Sequence, residues 1–557
     1  MVGRFYIEGA HYSLEQMRDA LVVDGSRSNE TPITSVPRDQ GGDAVDAVVD
    51  ILSSMHIGNK PMLQKDNDGY SFNYVGVIAA GSCLFPILPK YYIYAPEDPI
   101  PAGPASDALI AVLEAVRKYM TRSTLQEELQ FSPADVPVTV LQNRLGLYRF
   151  LLEDYSQYGP YTNTRRIREF NGEGDIDWPR TIDQIRPVLS NGAPVYMELI
   201  TSRRTRESSN FIARMQLAML GEISTFIEGT GLNAILHMPL VKQSQETLDS
   251  LGDTAMLVRR LQRELHVQFE TRKRLLLSNM LNYFKDYSPA SKNIILAEGT
   301  GSFNLVWEDI CKQIFHHDHT ISMPKPNWQF LTRLEWNPNA RQTDAMVSDP
   351  DAVQKNASEE FGTTEADTRT LIPDVVNTDQ RDGNGNPVIT ILDAKYYIPQ
   401  YKSDDSGKGH ISGQPGIGDI IKQYFYMMAL QHGLDLGLGK DRSKETALTI
   451  AGNAFILPAQ RALGVGDGPE PRYLLVQRGR VSLEFMGADA DKNEGRKLPS
   501  HILLFELDAE QAIDIYLHAV PSEAEALRYL HQMFDGQSDT DSLKPKSIVA
   551  QPSTGKA

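Results

Sequence analysis

Apolar residues recur along this chain with two different periods, and each period predicts an element. Helical spacing, with apolar positions three and four apart, runs through Leu109, Val112, Leu113, Val116 and Tyr119 and predicts a helix over 105–122. The same spacing predicts helices over 141–155 and 210–228. It also predicts one long helix over 253–287, carrying Leu257, Leu261, Leu265, Phe269, Leu275, Leu276, Met280 and Phe284. Trp307, Cys311 and Phe315 mark a further helix, begun by a capping Ser302 or Asn304. Short runs rich in β-branched and aromatic residues read as strands. They cover 72–78, 91–94, 371–376, 389–397, 446–457, 472–477 and 501–507. Between the fourth and fifth of these a helix begins near Asp419, with Ile420, Gln423, Tyr424, Met427 and Leu430 along one side.

This order of elements predicts a mixed α/β, multidomain fold. Residues 1–140 form an N-terminal α/β domain suited to target recognition or partner docking. Residues 141–294 are mostly helical, and the long helix reads equally as an arm or as the face of a plain bundle. Residues 295–534 hold a central mixed sheet flanked by helices. From 535 to 557 the periodicity stops and Gly, Ser, Asp, Pro and Lys take over, which predicts disorder. No uncharged apolar stretch of about 20 residues occurs, so no membrane span is expected.

Two of the apolar runs carry acids. Asp374 follows Leu371, Ile372 and Pro373, and Asp393-Ala394-Lys395 closes the run Ile389-Thr390-Ile391-Leu392. Between them stands Asp382-Gly383-Asn384-Gly385-Asn386-Pro387, a cluster that favours a hairpin. A hairpin brings two carboxylates and one ammonium to the same end of adjacent strands. Burying such groups among Ile, Leu and Val is costly unless they pair or hold a metal. Two carboxylates can hold Mg²⁺, with Mn²⁺ as a substitute, and the ion keeps several waters. A lysine beside it can orient or deprotonate a water for attack on a phosphodiester. The plain alternative is a structural ion pair at a strand end. Gln423 and Tyr424, on the next helix, can position the substrate phosphate or the lysine. His316, His317 and His319 lack the further ligands a zinc site needs.

Charge complicates the picture. The chain carries a net charge of −17, whereas a compact DNA-coating protein is more often basic. Basic residues nevertheless cluster at Arg165-Arg166-Ile167-Arg168, Arg203-Arg204-Thr205-Arg206, Arg259-Arg260 and Arg272-Lys273-Arg274. Such clusters are ordinarily solvated faces. In a nuclease, Arg165, Arg166, Arg203, Arg204, Arg272 and Lys273 become the candidate phosphate contacts. Cys83 and Cys311 stand far apart, which suits a reducing cytoplasm, and the N-terminus has no secretory apolar region. A Walker-type Gly-rich lysine loop is missing from the sequence, so nucleotide hydrolysis by that route is not expected.

The Pro373-Asp374 and Asp393-Ala394-Lys395 elements resemble the layout of the PD-(D/E)XK nucleases. In that architecture a helix-borne carboxylate commonly completes the metal site, which implies Glu308 beside Asp374 and Asp393. Gly172-Glu173-Gly174-Asp175-Ile176-Asp177-Trp178, followed by Arg180-Thr181-Ile182, resembles a signature of the LlaJI-type restriction endonucleases. The block from 299 to 315, with Phe303 and Val306-Trp307-Glu308, is similar to the next block of that family. Gln423-x-x-Tyr426, together with the two acidic elements, resembles the core shared with McrC-type subunits. These blocks occur in the family's order and span roughly residues 140 to 460.

The resemblance implies a nuclease subunit of a bacterial restriction or anti-phage system. It implies Mg²⁺-dependent cleavage of double-stranded DNA in cooperation with a separate McrB-like AAA+ GTPase. Cutting both strands implies two nuclease sites per assembly, reached as a homo-oligomer or a dimeric nuclease. A non-catalytic adaptor that couples a motor to another effector, and an RNA-directed nuclease, are the alternative readings.

Overall fold

The computed structural model describes residues 4–18, 41–67, 69–80, 83–93, 102–123, 129–131, 139–142, 144–207, 211–286, 294–318, 373–381, 388–403, 409–435, 449–462, 472–483, 499, 501–534 and 547–548. It is a mixed α/β chain that divides into two compact units. The first comprises 1–90 and 94–301, and the second comprises 91–93 and 302–557. Among the described residues no helix is long and apolar enough to cross a membrane.

The first unit is built on a five-stranded sheet in the order Tyr6–Ile7, Cys83–Leu88, Val75–Ala80, Ile294–Thr300, Thr139–Gln142. Every residue of Val75–Ala80 and Cys83–Leu88 is buried, as expected for strands covered on both faces. Ile294–Thr300 pairs with Val75–Ala80 and with Thr139–Gln142. That pairing holds residues 294–301 in the first unit, so the division falls after Gly301, whereas periodicity alone starts the last domain at 295.

The long helix expected over 253–287 is two helices, Thr254–Val267 and Thr271–Tyr283, packed against each other. The break centres on Gln268. Gln268 adopts an extended backbone, and its Oε1 accepts the N–H groups of Phe269 and Glu270. Its Nε2 donates to the Tyr161 hydroxyl, which in turn donates to Glu264. Phe269, which a continuous helix would place on the apolar stripe, is instead 86% exposed. The arm reading therefore gives way to a folded helix pair.

The second unit holds the acidic strands. Its labelled elements are α1 (Phe303–Ile314), β1 (Val375–Asn377), β2 (Val388–Ala394), α2 (Ile417–Asp435), β3 (Thr449–Pro458), β4 (Leu475–Val481), β5 (Ile502–Leu507), α3 (Ala509–His518), α4 (Glu523–Phe534) and β6 (Ser547–Ile548). Among the described residues the sheet has six strands in the order β1-β2-β3-β5-β4-β6. It is mixed: β2, β3 and β5 run parallel, while β1, β4 and β6 pair antiparallel. Parallel neighbours need a crossover, and α2 supplies the one between β2 and β3. Helix α2 contributes Tyr424, Tyr426, Met427 and Leu430 to one core with Val376, Ile389, Ile391, Phe455 and Leu457. Helix α1 buries Phe303, Val306, Trp307, Ile310, Cys311 and Ile314. The Trp307 indole N–H donates to the Ile456 carbonyl in β3 at 3.4 Å.

The disorder expected from 535 onward does not hold at Ser547–Ile548. These residues pair with Leu475 and Val476 at the sheet edge, and Ile548 is buried. The other tail residues lie outside the described ones, as do the turn residues 382–387 and His319.

Candidate active site

The site grows from strand register. Val375 pairs with Leu392 and Val376 with Ile391. Continued by one residue, that antiparallel register sets Asp374 across from Asp393. Side chains alternate along a strand, so Asp374, Asp393 and Lys395 share one face. A carboxylate oxygen of Asp374 accepts the Ala394 N–H at 2.9 Å, which fixes it at the strand junction. The two acids that sequence places 19 positions apart are thereby brought together.

Asp393 is 1% exposed. Its Oδ2 lies 2.8 Å from Lys395 Nζ. Its Oδ1 is buried and has no hydrogen-bond partner among the described residues. Burial and the charges of Asp393 and Glu308 push the Asp374 carboxyl up to about 8. Burial alone would lower Lys395, but Asp393, Asp374 and Asp419 outweigh it and hold the ammonium above its ordinary value. Lys395 is therefore charged at neutral pH, which suits it to orient and stabilise anions rather than to remove a proton.

Glu308 stands on α1. Burial raises its carboxyl, Lys312 and Lys395 oppose that rise, and Asp393 adds to it. It shares the field of the acidic pair, but among the described residues no three His, Cys, Asp or Glu side chains converge as a joint ligand set. The chemistry present is thus a carboxylate pair with a third acid nearby. A buried carboxylate pair, one member of which burial holds protonated, and a buried carboxylate oxygen with no partner among the described residues both fit a divalent cation, which would take the place of the proton.

Gln423 on α2 is fully buried, and its amide donates to Asn453 Oδ1 in β3 at 2.6 Å. Its own Oε1 has no partner among the described residues. Tyr424 lies in the apolar core with Val376, Ile391 and Phe455, and its hydroxyl meets the backbone of Leu483. It packs the sheet, because on a helix adjacent residues point about 100° apart. Asp419, which lies 3.7 Å from Lys395 Nζ, and Tyr397, which donates to Asp419, escaped the sequence reading. Asp419 sits four residues before Gln423, the spacing that shares a helix face, and that spacing was the available signal.

Of the basic clusters, Asn163–Phe170 and Ile200–Glu207 form an antiparallel ribbon. Its register sets Arg166 directly across from Arg204, Ile167 across from Arg203 and Arg165 across from Thr205. Arg272 makes two 2.9 Å hydrogen bonds to Asp154, which is buried, and its guanidinium lies 4.3 Å from the Tyr158 ring centroid. Lys273 pairs with Glu270 at 2.7 Å. Releasing Arg272 from Asp154 would strand a buried carboxylate.

A family model, a sequence relative and a solved structure match the chain. The family model for the LlaJI restriction endonuclease matches residues 74–355 and 341–467. The Type II restriction enzyme BsuMI component YdjA of Bacillus subtilis (strain 168) is 24% identical over 467 residues, covering 82% of this chain and 83% of that protein. The cryo-EM structure of the Thermococcus gammatolerans McrBC complex is 12% identical, covering 56% of this chain and 87% of that chain. Its TM-score is 0.23, too low to carry an argument.

Proposed function

The chain belongs to the LlaJI restriction endonuclease family, and on that premise we propose that it is the nuclease subunit of a bacterial restriction system, hydrolysing double-stranded DNA with Mg²⁺. The core we assign is of the PD-(D/E)XK type. The observation that carries this reading is Asp374 set across from Asp393, with Lys395 Nζ 2.8 Å from the latter. Asp374 and Asp393 would hold the metal. Bound there, Mg²⁺ would supply a polarised water and a counter-charge for the phosphate. Lys395 donates its ammonium hydrogens to a phosphate oxygen or to the attacking water. Glu308, on α1, would complete the metal site as its third acid. Gln423 stays fixed by Asn453 and keeps the helix seated over the sheet.

The Arg ribbon is the phosphate-binding element of this proposal. The register that pairs Arg166 with Arg204 gathers basic positions on one ribbon, a composition suited to a phosphate backbone. Replacing Arg165, Arg166, Arg203 or Arg204 by alanine is expected to lower DNA affinity and to reduce the salt dependence of binding by about one unit of slope each. Fluorescence anisotropy at several salt concentrations checks this. An unchanged slope in the fourfold variant removes the ribbon from the interface.

We further assign a separate McrB-like AAA+ GTPase as partner. The sequence has no Walker loop of its own, and the Bacillus relative is named as a component. The test incubates plasmid DNA or RNA with the chain, Mg²⁺, GTP and an McrB-like motor protein. Plasmid cleavage without RNA cleavage is expected. RNA cleavage alone makes it an RNA nuclease, and inactivity on both substrates makes it an adaptor.

A further inference from the structure

We propose that Asp419 is a positioning residue for Lys395, the acceptor that takes its ammonium when Asp393 turns to a divalent cation. This rests on the reading of Asp374 and Asp393 as the cation-holding pair. In the structure Asp393 has two claimants on one carboxylate. Its Oδ2 already lies 2.8 Å from Lys395 Nζ, and its Oδ1 is the buried oxygen that has no partner among the described residues. A dication drawn to that carboxylate would sit beside the lysine ammonium and repel it. The repulsion has to be answered by a second anion within the lysine's reach.

Asp419 is that anion. Its Oδ1 lies 3.7 Å from Lys395 Nζ, opposite in role to the contact with Asp393. Its other oxygen is already committed, accepting the Gly416 N–H at 3.1 Å and the Tyr397 hydroxyl at 3.3 Å. These two contacts hold the carboxylate at the start of α2 and leave Oδ1 turned to the lysine. The Asp419 side chain is 22% exposed and that of Lys395 15%. A lysine moved from Asp393 toward Asp419 therefore stays at the open side of the site, where a phosphate arrives. Outer partners of this kind set both the orientation of a site's groups and its affinity for metal.

Asp419 also serves α2, because the acceptance of the Gly416 N–H is the return half of a capping arrangement. Asparagine keeps an oxygen for that N–H and for Tyr397, and removes only the charge. Mn²⁺ binding to the full chain, followed by calorimetry, separates the roles. The Asp419→Asn variant is expected to melt at the wild-type temperature without metal and to bind Mn²⁺ about tenfold or more weakly. Asp419→Glu recovers most of the loss. In a Lys395→Met background, where no ammonium needs a new acceptor, Asp419→Asn changes Mn²⁺ affinity by less than about twofold. Wild-type affinity in Asp419→Asn, or the same loss with and without the lysine, overturns the proposal while leaving the acidic pair intact. A folded wild-type chain that binds no Mn²⁺ overturns the acidic-pair reading and this proposal together.

Discussion

Asp393→Asn is expected to lower DNA cleavage by about 10³-fold or more, the scale of losing one member of a group that acts as a unit. The substitution keeps the shape of the side chain and removes its charge. Asp393 is the residue on which both halves of the proposed chemistry meet. It is the inner carboxylate of the pair, and it is the 2.8 Å partner of Lys395. Asparagine at this position binds a dication poorly and leaves the lysine ammonium to its weaker contact with Asp419. The fold should persist, because β2 is held by its register with β1 and β3 rather than by this one charge. Initial rates of plasmid cleavage, paired with circular-dichroism melts, check the claim. A folded Asp393→Asn chain that cuts within about tenfold of wild type would place the reaction elsewhere.

The second large effect concerns Asp374, and it is expected without metal. An unfolded aspartate loses its proton near pH 3.9, whereas burial and the neighbouring acids push folded Asp374 up to about 8. Between those values the folded chain holds a proton that the unfolded chain has released. The stability linked to this group is therefore fully present below about pH 4, and it is lost as pH rises through about 8. Each unit of such a shift is worth about 1.4 kcal/mol, so the loss is on the order of several kcal/mol. Asp374→Asn cannot ionise, and its side-chain oxygen can still accept the Ala394 N–H. In EDTA at pH 9 the variant should exceed wild type in stability by on the order of 2–4 kcal/mol, and at pH 4 the two should match. Urea unfolding across that range measures it. A variant less stable than wild type at pH 9 refutes the repulsive pair.

Much of the second unit was legible in the sequence because its strands are short, apolar and flanked by breakers. The run 501–507 became Ile502–Leu507, and 446–457 became Thr449–Pro458. The helix expected near Asp419 starts at Ile417. Asp374 and Asp393 flank strands close in sequence, and the pairing of Val375 with Leu392 and Val376 with Ile391 brings them together. What local pattern could not carry were partners far apart in sequence. The break at Gln268 depends on Tyr161, and the fate of Arg272 depends on Asp154. Ser547–Ile548 finds its place only because β4 offers an open edge. Asp419 was missed because an acid in the first turn of a helix reads as an ordinary response to the helix dipole. Its facing of Lys395 exists only once α2 crosses over the sheet.

The proposed chemistry requires Asp374 and Asp393 to hold one divalent ion beside the charged Lys395. The most direct measurement is anomalous diffraction from crystals of the full chain soaked in Mn²⁺. One peak with ligand oxygens from both Asp374 and Asp393 at roughly 2.0–2.3 Å is the expected result. A well-ordered site with those two side chains and no ion between them, or an ion bound only elsewhere, would contradict it.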